Sequence, residues 1–245
     1  MTNAIETRDL GKTYRSDGTE VHALRGVELD VPRGEFVAVL GPSGCGKSTL
    51  LNLIGGLARP TAGSVAVNGR DLAILDDKSL ADHRRHDVGF VFQLFNLVPV
   101  LSVEENVALP AVIAGVPEST YRPRVDELID AVGLSERKTR LPSQLSGGEQ
   151  QRSAVARALI LEPSVLLADE PTGNLDSSTG GEVMALFKRF HDAGQTIVLV
   201  THDAKVAGLA DRVIFMRDGR LVREARLGEP SERADVISRL VELDA

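Results

Sequence analysis

An apolar run, Phe36-Val37-Ala38-Val39-Leu40, leads directly into Gly41-Pro42-Ser43-Gly44-Cys45-Gly46-Lys47-Ser48-Thr49, and a leucine-rich run follows to Ile54. The nine residues fit G-x-x-x-x-G-K-[ST], a phosphate-binding loop. Strand, glycine loop and helix form the context that this motif requires. Gly41, Gly44 and Gly46 let the backbone turn tightly and aim N–H groups at one point. The following helix adds partial positive charge at the same point. Lys47 is then placed to reach terminal phosphates, and Ser48 to hold Mg²⁺. A glycine-rich turn with a surface lysine would explain the glycines but not the flanks.

The chain of 245 residues is long enough to bury a sizeable core. Its core must be aliphatic, because aromatics make up 4% and Trp is absent. A net charge of −7 argues against a dominant nucleic-acid footprint, which would be basic. The single cysteine, Cys45, excludes an internal disulfide and a four-cysteine zinc site. Its reactivity inside the loop would depend on exposure and thiol pKa. The N-terminus lacks the basic-then-apolar layout of an export signal. No apolar run has the length of a transmembrane helix.

The first part reads as β-rich. Residues 21–31 alternate apolar and polar after a turn at 16–19, residues 63–70 form a strand closed by Asn68-Gly69, and 88–92 form a short apolar strand. From about 94 to 160 the pattern turns helical. Ser102 is an N-cap for 103–113, and 124–132 end at Gly133. Strands at 165–168, 196–201 and 212–216, with a helix near 178–193, then imply a parallel sheet with helices packed on it. The expected fold is α/β: a P-loop NTPase core with an antiparallel β subdomain (about 1–93 and 161–225), an inserted helical subdomain (about 94–160) and a helical tail (about 230–245). Val236, Ile237, Leu240, Val241 and Leu243 give that tail its helical spacing.

Two further segments carry chemistry. The apolar run Val165-Leu-Leu-Ala168 ends in Asp169 and Glu170, whose side chains strand alternation sends in different directions. Asp169 suits a Mg²⁺ shell and Glu170 suits activation of the attacking water. Leu145-Ser146-Gly147-Gly148-Glu149-Gln150-Gln151-Arg152 holds a capping box between Ser146 and Glu149. A helix start with two glycine N–H groups is also an anion site, and the chain has no second phosphate loop to explain it.

Together these segments resemble the ATP-binding cassette (ABC) ATPases, whose motif order they follow over residues 3–225. The resemblance makes Leu145–Arg152 the signature and Gln93 the Q-loop glutamine, linking γ-phosphate and Mg²⁺ to the helical insertion. It makes Asn174-Leu175-Asp176 the D-loop, with Asp176 crossing a subunit boundary. His202 becomes the switch histidine that orients Glu170, and Tyr14 the aromatic that stacks on adenine. It also implies a homodimer with ATP sandwiched between subunits, Ser146 and Gly148 of one copy touching the ATP held by Lys47 of the other.

Residues 92–106 and 168–178 look like those of the lipoprotein-releasing and macrolide-export branch (the LolD and MacB type). That branch implies an integral membrane permease of four spans with a large extracytoplasmic domain, and a place at the cytoplasmic face of the membrane. Phe95, Leu97, Val98, Val100 and Leu101 are then candidates for a cleft that receives a permease helix, or for the insertion's own core. The alternative is a soluble ABC ATPase acting on nucleic acid or ribosomes. It lacks the expected second cassette, long coiled coil or zinc cysteines. A simple nucleotide-binding regulator would not need Glu170 or His202.

Overall fold

Every side chain from Phe36 to Leu40 is buried, as a strand covered on both faces demands. The computed structural model describes residues 2–16, 19–228 and 233. In chain order the elements are β1 (Asn3–Ser16), β2 (Thr19–Pro32), β3 (Phe36–Leu40), α1 (Lys47–Ile54), β4 (Ala62–Val67), β5 (Arg70–Asp71), α2 (Asp77–His86), β6 (Val88–Val91), α3 (Val103–Ile113), α4 (Glu118–Ala131), α5 (Gly147–Leu159), β7 (Val165–Asp169), α6 (Ser177–Asp192), β8 (Thr196–Thr201), α7 (Ala204–Ala207), β9 (Arg212–Arg217) and β10 (Arg220–Arg226).

Two sheets form. One is four-stranded, in the order β2-β1-β4-β5; the other is six-stranded, in the order β10-β9-β3-β8-β7-β6. The larger sheet is parallel from β9 to β6, and β10 closes its edge antiparallel. Alternate residues of each central strand feed opposite cores. Phe36, Ala38, Leu166, Ala168, Ile197 and Leu199 pack with α3 to α6. Val37, Val39, Val165, Leu167, Val198 and Val200 pack with α1 and the smaller sheet. The apolar runs in the sequence are continuous because each strand serves both layers.

The hairpin β1–β2 is not regular. Its register shifts at Thr7/Leu10, Leu10/Lys12 and Lys12/Thr13, and Asp9 and Gly26 have positive φ. The clean alternation expected over 21–31 therefore holds only from Val27 onward. Such bulges re-aim backbone groups at a sheet rim. Here the Ala23 carbonyl is turned onto Gly46, where a β-carbon would collide with it.

The expected helix starts are present at 102–103 and 146–147, each with a reciprocal capping box. Residues 94–101, expected to begin the helical region, instead form an irregular segment tied to α3 by Asn106. Asn106 is fully buried. It accepts from the Val98 N–H at 2.8 Å and donates to the carbonyls of Val98, Leu101 and Ser102 at 3.1, 2.9 and 3.0 Å. Helix α2 was not expected; five of its ten residues are charged and its apolar stripe is a single leucine, Leu80. The tail expected at 230–245 lies outside the described residues, apart from Arg233.

Candidate nucleotide site

Three neighbouring strands, β3, β8 and β7, end on the same side of the large sheet, and each delivers a motif there. Strand β3 runs into Gly41–Thr49. Strand β7 ends at Asp169, with Glu170 next. Strand β8 ends at Thr201, with His202 next. Carboxyl ends of parallel strands form the crevice in which open α/β sheets bind ligands.

Gly46 caps α1 with φ 110°, a conformation that only glycine adopts readily. Lys47 is 5% exposed, and its ammonium donates to the carbonyls of Gly41 at 2.9 Å and Pro42 at 3.0 Å. Ser48 Oγ donates to Asp169 Oδ1 at 3.1 Å, tying the start of α1 to the end of β7. Burial, reinforced by the charge of Glu170, raises the Asp169 pKa, against the Ser48 hydrogen bond and the Lys47 charge that lower it. A cation held beside this carboxylate would favour its charged form.

Glu170 has φ 44° and its N–H donates to the Val200 carbonyl at 3.0 Å. Its divergence from Asp169 thus comes from a left-handed kink beyond the strand end, not from strand alternation as expected. Its Oε2 lies 2.7 Å from His202 Nδ1. A carboxylate only accepts, so Nδ1 carries the proton of this bond. Thr201 Oγ1 accepts from the Asp203 N–H at 3.0 Å and fixes the turn that carries His202.

A groove of about 560 Å³ is lined by Lys47, Ser48 and Glu170, while Asp169, His202 and Tyr14 are outside its lining. Ser43, Gly44 and Gly46 to Thr49 form its floor, Glu170 stands at one end, and Val21, Ala23 and Arg25 line a wall. Tyr14 pairs across the hairpin with Val21 and is 45% exposed, with the Lys12 ammonium 5.1 Å from its ring centroid. Cys45 is buried, and burial pushes its thiol pKa up, so it remains a protonated, weakly nucleophilic thiol.

The other expected site residues lie elsewhere. Gln93 is exposed and exchanges two hydrogen bonds with Asn174: its carbonyl accepts at 3.0 Å and its amide donates at 3.5 Å. Ser146, Gly147, Gly148 and Glu149 start α5 and do not line the groove. Ser146 spends its hydroxyl on the Glu149 N–H, and Glu149 returns a bond to the Ser146 N–H at 2.8 Å. Asp176 caps α6 through the N–H groups of Ser178 and Thr179 and the Thr179 hydroxyl. A β-carbon on Gly148 would strike the Thr179 methyl, so α5 and α6 start in close contact there.

Sequence reasoning passed over two buried amides, Asn106 and Gln151, both fully enclosed. Gln151 Nε2 donates to the carbonyls of Phe92 at 3.2 Å and Pro171 at 2.7 Å. The available signal was a polar residue on the apolar face of its helix.

The sequence model of the ABC transporter family matches residues 24–173, more than half of the chain. The chain belongs to the ABC transporter family. It is an ATP-binding, ATP-hydrolysing cassette of that family. It is 46% identical over 228 residues to an uncharacterized ABC transporter ATP-binding protein of Thermotoga maritima, covering 93% of this chain and 97% of that one. It is 47% identical over 223 residues to the macrolide export ATP-binding/permease protein MacB of Escherichia coli strain K12, covering 91% of this chain. It is also 46% identical over 242 residues to the pyoverdine export ATP-binding/permease protein PvdT of Pseudomonas aeruginosa, covering 98%. The cassette spans only 34% of MacB and 36% of PvdT. Among solved structures, the dimeric bacterial ABC transporter cassette MJ0796 superposes with TM-score 0.85 at 43% identity, covering 92% of this chain and 99% of that one. CbiO1 of Clostridium perfringens, part of the cbiONQ transporter complex, gives 0.84 at 33% identity, covering 99% and 95%.

Proposed function

We propose that two copies of this cassette close around two ATP molecules and that hydrolysis reopens them, driving a separate membrane permease. The observation that carries this reading is the separation of the signature from the groove. Residues 146–149 form a glycine-rich helix start, yet they do not line the cavity over Lys47. A second copy supplies the missing wall.

In this reading the loop Gly41, Pro42, Ser43, Gly44, Cys45 and Gly46 with Thr49 wraps the phosphates, its N–H donors coming from every residue but Pro42, Lys47 neutralises them, and Tyr14 stacks on adenine. Ser48 and Asp169 are two hard oxygen donors 3.1 Å apart, a pair that fits Mg²⁺ when phosphate and water oxygens fill the remaining positions. Among the described residues no cluster of three or more His, Cys, Asp or Glu could hold a metal alone, which suits a cation that arrives with a nucleotide. Bound there, Mg²⁺ would offset phosphate charge. Gln93 would join its shell after leaving Asn174. Glu170 takes the proton of the attacking water while His202 holds the carboxylate in place. Ser146, Gly147, Gly148 and Glu149 face the partner's ATP, and Asp176 reaches the boundary between copies.

We place the nucleotide core at about 1–93 and 161–225, with the helical insertion at about 94–160 between. No helix among the described residues is long and apolar enough to cross a membrane. Likeness to the export ATP-binding/permease proteins MacB and PvdT supports an export role. The four-span permease with a large extracytoplasmic domain, and the place at the cytoplasmic face, are what the branch resemblance of residues 92–106 and 168–178 implies. Leu94, next to Gln93, and Val100 are 69% and 78% exposed, whereas Phe95, Leu97, Val98 and Leu101 are half-buried. The permease contact therefore centres on the exposed pair. No observation favours a nucleic-acid or ribosome partner.

The test is sedimentation of the Glu170→Gln protein with and without MgATP. A dimer is expected only with ATP, and Ser146→Arg should abolish it while leaving ATP binding to the monomer intact. A monomer under all conditions would overturn the clamp.

A further inference from the structure

We infer that Gln151 is a positioning residue that ties the signature helix to both sensors of the hydrolytic site. The inference rests on the reading of Glu170 as the base. Gln151 lies one turn into α5, which starts at the signature. Its amide nitrogen bonds the carbonyl of Phe92, immediately before Gln93, and that of Pro171, immediately after Glu170. Both partners are acceptors, so the NH₂ group must face them, and this fixes the amide orientation. Its Oε1 is buried and has no hydrogen-bond partner. A side chain kept in place at the cost of a stranded oxygen is held by what its nitrogen does.

The consequence is geometric. Residues 92 and 171 belong to separate segments, one leaving β6 and one leaving β7. The β6–β7 ladder ends at Val91 and Ala168, and beyond it Gln93 and Asn174 join the two segments at the surface. With Gln151, a shift of α5 moves the backbone on which Gln93 and Glu170 sit. Closure on a partner's ATP presses on the start of α5, so the same closure aligns the base. Misplacement of a catalytic group by about 1 Å can cost 10²-fold in rate.

The experiment is a double-mutant cycle on the full chain, pairing Gln151→Met with Glu170→Gln. Gln151→Met keeps the side-chain length and removes both hydrogen bonds. We expect ATP affinity within twofold of the parent and kcat about 10- to 100-fold lower. In the Glu170→Gln background, Gln151→Met should lower the residual rate by less than twofold, because its effect runs through Glu170. Gln151→Glu, nearly isosteric, turns an oxygen toward the two carbonyls and should lower kcat at least as far. Normal kcat in Gln151→Met would overturn the inference while leaving the base in place. So would the same fold-loss in both backgrounds, which marks a purely structural role. Normal turnover in Glu170→Gln alone would instead remove the reading on which it rests.

Discussion

Nδ1 of His202 lies 2.7 Å from Oε2 of Glu170, joining the ends of adjacent strands β8 and β7. The carboxylate is 17% exposed and the imidazole 60%, so the base is sheltered while its holder faces solvent. Glu170→Gln keeps an oxygen for His202 and loses the base. Its ATP turnover should fall at least ~10²-fold, about 2.7 kcal/mol of barrier, with ATP binding retained. Phosphate release from purified protein reads this directly; a rate near the parent's would assign the water to another group.

Lys47→Ala removes the only ammonium within the loop and frees the carbonyls of Gly41 and Pro42. Turnover should drop by about 10²- to 10³-fold, as for other losses of a preorganised charge at a transferring phosphoryl group. Titration with a fluorescent ATP analogue, alongside the rate, would expose a variant that binds and turns over normally.

Asn106→Ala should destabilise the chain by about 2–4 kcal/mol, because several enclosed backbone groups lose their partner at once. Urea unfolding gives the figure, and a loss under about 1 kcal/mol would show that the 94–102 segment holds itself.

Four acids at helix starts have depressed pKa values, each through a local hydrogen bond: Asp76 and Asp176 chiefly through the side chains of Ser79 and Thr179, Glu105 and Glu149 through the backbone of Ser102 and Ser146. A depressed folded value means that the stabilisation is complete above the unfolded value, about 4, and fades as pH falls through the folded one. The urea midpoint should therefore decline on acidification below about pH 4, and Glu105→Gln with Glu149→Gln should flatten that decline. An unchanged slope would place the acid sensitivity elsewhere.

Much of this was legible because the chemistry is local. Gly41–Thr49 needs only its flanks to be read, and Ser102 and Ser146 announce their helices three residues ahead of Glu105 and Glu149. What was not legible depends on distance along the chain. Strand β10, Arg220–Arg226, has little hydrophobic content and no charged–apolar alternation, and its pairing with the edge of β9 makes it a strand. Helix α2 is held by capping and by His83, buried against the Ile54 carbonyl and Asp87, not by an apolar stripe. The kink at Glu170 comes where the chain leaves its ladder with β8, whose last bond here is to Val200, thirty positions later. Gln151 reads as one polar letter among several until its two carbonyl partners come into view.

Lys47 donates two hydrogen bonds to its own loop, out of three an ammonium can make. One N–H is left to point outward, so the position is a tether as much as a charge. Arginine would conserve the sign, but its rigid planar fork is poorly shaped to fold back onto two consecutive carbonyls only five and six residues upstream. What evolution can vary here is therefore narrower than electrostatics alone suggests: the ring that the chain ties around its own cation must be small, flexible and tetrahedral at the knot.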